Sequence, residues 1–145
     1  MTNIFHLLLV EDDPNDILFF QKALGKVRPG TDVLVARDGE EALALLADAT
    51  HVVLDLKLPR KSGLEVLEWI RGRSETRDLR VSILTSSKDP SDLDRVLRAG
   101  VDLYCVKPAT FPCLIQTLKQ ILDEWRLLPP ADGSALNPAP PSGVS

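Results

Sequence analysis

The sequence predicts an α/β fold, a doubly wound parallel sheet with helices on both faces. Three observations predict it. Five short apolar runs alternate along the chain with five segments of helical periodicity. The middle run, His51-Val-Val-Leu-Asp55, is apolar up to its aspartate, as a strand covered on both faces should be. Polar groups follow four of the runs at the same end: Glu11-Asp12-Asp13, Asp55, Thr85-Ser86-Ser87 and Lys107.

In chain order, residues 6–10 form the first predicted strand. Asp13-Pro14 then opens a helix. The aspartate side chain caps free N–H groups, and proline suits the first helical position because its missing N–H has no partner to lose. Ile17, Phe20, Leu24 and Val27 recur at helical spacing, and Pro29-Gly30 ends the segment. Val33 and Val35 alternate in a short second strand. Asp38-Gly-Glu-Glu41 resembles a capping box ahead of Ala42, Leu43, Leu45 and Leu46. Residues 51–55 are the third strand. Ser62-Gly-Leu-Glu65 is another capping box, with Leu67 and Ile70 behind it. The polar residues 71–78 predict a loop, and 81–85 the fourth strand. Asp89-Pro90 repeats the cap-and-proline start of a helix whose apolar face is Leu93, Val96 and Leu97, closed by Ala99-Gly100. Residues 102–106 are the fifth strand. Thr110 caps a last helix in which Leu114, Leu118, Ile121, Leu122 and Trp125 share one face.

The length of 145 residues fits one domain, here residues 1–128. Residues 129–145 hold five of the eleven prolines with Gly, Ser and Ala, and predict a disordered tail or an extended arm. No second core or output domain is expected. A net charge of −4 argues against a nucleic-acid partner. No apolar run reaches the roughly eighteen residues of a membrane span, and the N-terminus lacks the basic region of a secretory signal. Cys105 and Cys113 have neither metal-ligand nor redox spacing, and Cys105 reads as a small core residue. A cytoplasmic protein fits these features.

Ligands of such sheets gather outside the carboxyl ends of the strands, where the strand order reverses. Glu11, Asp12, Asp55, Thr85 and Lys107 all fall at predicted carboxyl ends and can meet there. Each alone has an ordinary explanation as a solvated loop, a cap or a strand end. The joint pattern is what points to a site. Asp12 and Asp55, with Glu11 beside them, would repel one another unless a cation lay between. Mg²⁺ fits, because it keeps several waters and takes one or two protein carboxylates. Lys107 adds a fixed positive charge and Thr85 a hydroxyl donor. A carboxylate so flanked suits attack on a phosphoryl group. No glycine-rich phosphate loop is present, so a nucleotide substrate is not indicated. Asp13 is assigned only a capping role. His6 and His51, at strand starts on the opposite edge, are assigned structural ones.

These residues resemble the receiver domain of two-component response regulators over roughly residues 5–126. The segments that carry the resemblance are Leu-Leu-Val-Glu11-Asp12-Asp13-Pro14, Leu-Asp55-Leu-Lys-Leu-Pro59, Gly63, Leu84-Thr85-Ser86-Ser87, Ala99-Gly100 and Tyr104-Cys-Val-Lys107-Pro108. The resemblance implies a flavodoxin-like (βα)5 sheet of strand order 2-1-3-4-5. It makes Asp55 the phosphoacceptor. It gives Mg²⁺ to Asp12, Asp55 and the backbone carbonyl of Lys57, with Glu11 acting through water. Thr85 would bind the phosphoryl group, Lys107 would pair with it, and Tyr104 would be an aromatic switch that turns inward as Thr85 moves. Lys57 and Ser87 depart from residues often found beside the path of the hydrolytic water, which implies an altered phosphoryl lifetime. The aromatic that usually follows Lys-Pro is displaced to Phe111.

The function expected is a single-domain regulator that takes a phosphoryl group from a histidine kinase and is no enzyme beyond its own phosphorylation and dephosphorylation. The Leu-Thr-Ser-Ser segment and the Trp-Arg-Leu-Leu-Pro-Pro ending look like the small regulators of phytochrome-type kinases. A histidine phosphotransfer protein is a further possible partner. The family often dimerises through the fourth helix, fifth strand and fifth helix, and Leu127, Leu128 and the prolines after them would extend that contact as an arm. Two other functions compete. A haloacid-type phosphohydrolase would need an acid two residues after Asp55, where Lys57 stands, and room for a cap domain. A receiver-like interaction module without phosphorylation would not need the full acidic set, Thr85 and Lys107.

Overall fold

The computed structural model describes residues 5–127. Five parallel strands form one sheet: β1 (Leu7–Val10), β2 (Val33–Ala36), β3 (His51–Leu54), β4 (Arg80–Thr85) and β5 (Leu103–Val106). Their order is β2-β1-β3-β4-β5, as the resemblance implied. One helix follows each strand: α1 (Pro14–Val27), α2 (Gly39–Leu45), α3 (Gly63–Arg71), α4 (Pro90–Ala99) and α5 (Phe111–Glu124). Residues 128–145, and with them the proposed tail, lie outside the described residues.

Local chemistry sets the helix starts. Asp13 accepts hydrogen bonds from the N–H groups of Asn15 and Asp16, and Ser62 and Glu65 form a complete capping box. Asp38 is only half of the box expected of it. Its side chain caps Glu41, but the Glu41 carboxylate reaches back to the N–H of Arg37, one residue before the cap. The second helix also ends early, in a single 3-10 turn at Leu46–Asp48. Gly100 closes α4 at φ 98°, a left-handed conformation that suits a residue without a Cβ.

Alternation along the strands makes two cores. Leu8, Val10, Val52, Leu54, Val81 and Ile83 pack under α2, α3 and α4, while Leu7, Leu9, Val53 and Leu84 pack under α1 and α5. The apolar face expected on α4 needs correction. Only Val96 is buried; Leu93 and Leu97 are 37% and 56% exposed. Cys105 is half-buried beside the second core, where burial raises its thiol pKa. Among the described residues no helix is long and apolar enough to cross a membrane.

The sheet order places the site. β1 pairs with β2 on one side and β3 on the other, so the chain reverses direction across the sheet between them. Val10 lies opposite both Ala36 and Leu54. Hydrogen bonds from Glu11 N–H to Ala36 O (2.9 Å) and from Asp55 N–H to Val10 O (3.1 Å) carry the ladder one residue further. Glu11 and Asp55 therefore leave the sheet side by side. At the other end Lys107 N–H donates to Thr85 O at 2.7 Å.

Candidate functional site

Asp55 stands one residue beyond β3 and is 5% exposed. Its Oδ2 accepts from Lys107 Nζ at 2.9 Å and its Oδ1 from the Lys57 N–H at 3.3 Å. Gly63 holds this position for a steric reason. Its N–H donates to Leu56 O at 2.9 Å, and a Cβ at Gly63 would lie 2.1 Å from the Asp55 carbonyl oxygen. Helix α3 can start this close to the aspartate only without a side chain at its first residue.

Glu11 is as buried as Asp55. Its Oε1 pairs with Lys107 Nζ at 2.7 Å, and its Oε2 accepts from the Asp13 N–H at 3.1 Å. Asp12 is exposed at the rim. One carboxylate oxygen from each of Glu11, Asp12 and Asp55 lies within 4.8 Å of the other two. Burial pushes the Glu11 pKa up to about 7, and the nearby Asp55 charge adds to it. The bonds to Lys107 and Asp13 oppose the rise without cancelling it.

Lys107 Nζ touches a third carboxylate, Asp16 Oδ2, at 2.8 Å. Burial alone would lower the lysine pKa, but the three carboxylates win and raise it above its ordinary value. Sequence reasoning missed Asp16. Its signal was an acid in the first turn of α1, at a helix N-terminus aimed at the carboxyl edge of the sheet.

Three carboxylates thus share one ammonium, and Asp12 lies beside two of them. The excess negative charge, the all-oxygen donor set and the exposed rim at Asp12 fit a hard divalent cation. Glu11 also meets Lys107 directly, a contact separate from the water-mediated part toward Mg²⁺ implied for it.

Thr85 is fully buried at the end of β4, and its Oγ1 accepts from the Ser87 N–H at 3.3 Å. Tyr104, on β5, is half-buried and donates its hydroxyl to Ser87 O at 3.0 Å. Burial raises its phenol pKa. Lys57 is exposed, whereas Ser87 is 4% exposed and its hydroxyl donates to Asp92 Oδ2 of α4 at 2.5 Å. Phe111 is half-buried and helps line a cavity of about 190 Å³ between α1 and the start of α5. That cavity runs from Leu9, Phe20, Val53 and Leu84 outward to Asp55 and Lys107. His51 lies at the opposite edge, between the rings of Phe5 and Trp125 at 4.9 and 4.8 Å.

Comparison with known proteins agrees with this arrangement. The sequence model described as the response regulator receiver domain matches residues 7–119. The polar-differentiation response regulator DivK of Brucella anthropi is 29% identical over 120 residues, which cover 81% of this chain and 96% of DivK. The crystal structure of the phosphorylated cyanobacterial phytochrome response regulator RcpA matches with a TM-score of 0.78 at 31% identity, over 85% of this chain and 94% of that one. The bacteriophytochrome response regulator AtBRR matches with a TM-score of 0.69 at 38% identity, over 84% and 94%.

Proposed function

This chain belongs to the response regulator receiver family, and from that premise we propose that it is a single-domain phosphorylation switch with Asp55 as the phosphoacceptor. The observation that carries the reading is the Lys107 ammonium held 2.9 Å from Asp55 and paired with two further carboxylates, Glu11 and Asp16. An Asp55 oxygen attacks the phosphorus of a kinase phosphohistidine. The P–O bond forms as the P–N bond breaks, and the electron pair stays on the imidazole nitrogen, which takes up a proton. Lys107 offsets the charge gained at Asp55 and holds the phosphoryl oxygens. Asp12, Asp55 and the Lys57 carbonyl would hold Mg²⁺, with Glu11 acting through water, and the ion when bound would supply positive charge against the phosphoryl oxygens. The Thr85 hydroxyl then binds the new group, and Tyr104 follows it inward. In this reading the protein turns over no substrate beyond its own phosphorylation and dephosphorylation.

The likeness to RcpA and AtBRR supports a phytochrome-type kinase as the donor. The exposed Leu93, Leu97 and Val106 support a homodimer across α4, β5 and α5. We assign the protein to the cytoplasm, where such a kinase presents its phosphohistidine, and we include a histidine phosphotransfer protein among its partners. The test is transfer from a panel of autophosphorylated histidine kinases to the full chain. Fastest labelling by a bacteriophytochrome kinase supports the pathway. Labelling only by other kinases removes the pathway and keeps the switch.

A further inference from the structure

Four hydrogen bonds converge on Ser87, a buried residue in the four-residue link (86–89) between β4 and α4. Its N–H donates to Thr85 Oγ1 (3.3 Å), and its carbonyl accepts from the Tyr104 hydroxyl (3.0 Å). Its hydroxyl donates to Asp92 Oδ2 (2.5 Å) and accepts from the Asp89 N–H (3.3 Å). Asp89 caps α4 and Asp92 lies in the first turn of that helix. One residue therefore bonds to the candidate phosphoryl-binding hydroxyl, to the aromatic of β5 and to the start of α4. A serine on an exposed link would ordinarily hydrogen-bond to water; here the hydroxyl is dry and committed to a carboxylate, a charge-assisted and therefore strong bond.

We propose that Ser87 is the positioning residue that carries movement of Thr85 into α4. This inference rests on the phosphoacceptor reading of Asp55. When Thr85 is drawn toward a phosphoryl group, the Ser87 N–H follows the Thr85 oxygen. The Ser87 hydroxyl, fixed to Asp92, then pulls on the first turn of α4. Without the hydroxyl, the short link takes up the displacement and the helix stays where it is. The two ends of the chain of bonds have separate effects: the N–H and carbonyl belong to any residue at position 87, while the link to Asp92 needs the hydroxyl.

The experiment uses the full-length chain, acetyl phosphate and Mg²⁺, with two readouts on the same samples. Intact mass reports phosphoryl uptake at Asp55, and amide hydrogen exchange of residues 90–99 reports α4. The native chain should take up the phosphoryl group and change its α4 exchange. Ser87→Ala should also take it up. Its α4 amides should exchange about tenfold faster than native before phosphorylation, as loss of a bond to a charged group implies, and should not respond to phosphorylation. Ser87→Thr, which keeps the hydroxyl, should restore the response. Asp92→Ala breaks the same link from the helix side and should reproduce Ser87→Ala, which keeps the test open if Ser87→Ala does not fold. A native α4 response in a phosphorylated Ser87→Ala or Asp92→Ala chain overturns the proposal alone. No uptake by the native chain overturns the phosphoacceptor reading and this inference with it.

Discussion

Replacing Lys107 with methionine removes the one charge that three carboxylates share while keeping the length and apolar stem of the side chain. Glu11 and Asp55 are 5% and 6% exposed at their side chains, and Lys107 only 18%. In Lys107→Met both carboxylates lose their partner in a largely dry site. Removing one partner of a buried ion pair typically costs about 3–5 kcal/mol. Two features reduce that here. Asp16 is 39% exposed and rehydrates, so its share is small. Glu11, already raised to about 7, takes up a proton at neutral pH. The expected loss is therefore about 2–4 kcal/mol, or a fall in Tm of roughly 10 °C for a domain of this size. Thermal unfolding at pH 7 in low salt, followed by circular dichroism, measures it. Millimolar Mg²⁺ should recover part of the loss by supplying positive charge to the same carboxylates, and should recover more in Lys107→Met than in the native chain. A variant as stable as the native chain without Mg²⁺ would refute the claim that Lys107 neutralises this cluster.

Other outcomes follow from the same geometry. Gly63→Ala forces a Cβ to within 2.1 Å of the Asp55 carbonyl oxygen unless α3 shifts, so denaturant unfolding should show a loss of about 2–4 kcal/mol and phosphoryl uptake should fall with it; an unperturbed variant contradicts the steric role. His51 has its pKa lowered to about 4, chiefly by burial, with Arg80 adding to the shift. Its folded value lies below its unfolded one, so the unfolded chain binds more protons between pH 6.5 and 4. The contribution of His51 is complete above pH 6.5 and is lost as pH falls through that window, by on the order of 1–2 kcal/mol after allowance for partial solvent screening. His51→Gln should show a shallower loss of stability than the native chain from pH 7 to 4.5, and parallel curves would contradict this. Ser62→Ala removes one arm of the α3 capping box and should cost about 1 kcal/mol in the same unfolding assay, with phosphoryl uptake unchanged.

Asp55, Thr85 and Lys107 were legible in the sequence because parallel topology sends every strand end to one edge. The spacing between them did not matter once the strands were recognised. Asp16 was not legible in the same way. It sits on a helix, and its distance from Lys107 depends on how α1 packs beside the start of α5, which no local pattern encodes. The face of α4 failed for a related reason. Periodicity shows that Leu93, Val96 and Leu97 share a stripe, but not how much of that stripe the sheet and α3 cover; only Val96 reaches the core. The Asp38 box misled because the same Asp-x-x-Glu spacing serves whether the glutamate returns to the cap or to the residue before it, and here it chose Arg37. Ser87 departs from the residues often found at its place, but its partner Asp92 is identifiable only from the geometry of the link and the first turn of α4.

The central claim is that Asp55 accepts a phosphoryl group in a site completed by a divalent cation. Intact mass of the full chain after incubation with acetyl phosphate, with and without Mg²⁺, tests it most directly when Asp55→Asn is run alongside. The prediction is a gain of one phosphoryl group by the native chain that needs Mg²⁺ and is absent in Asp55→Asn. A native chain that stays folded and gains nothing, or an Asp55→Asn chain that gains as much as the native one, contradicts it.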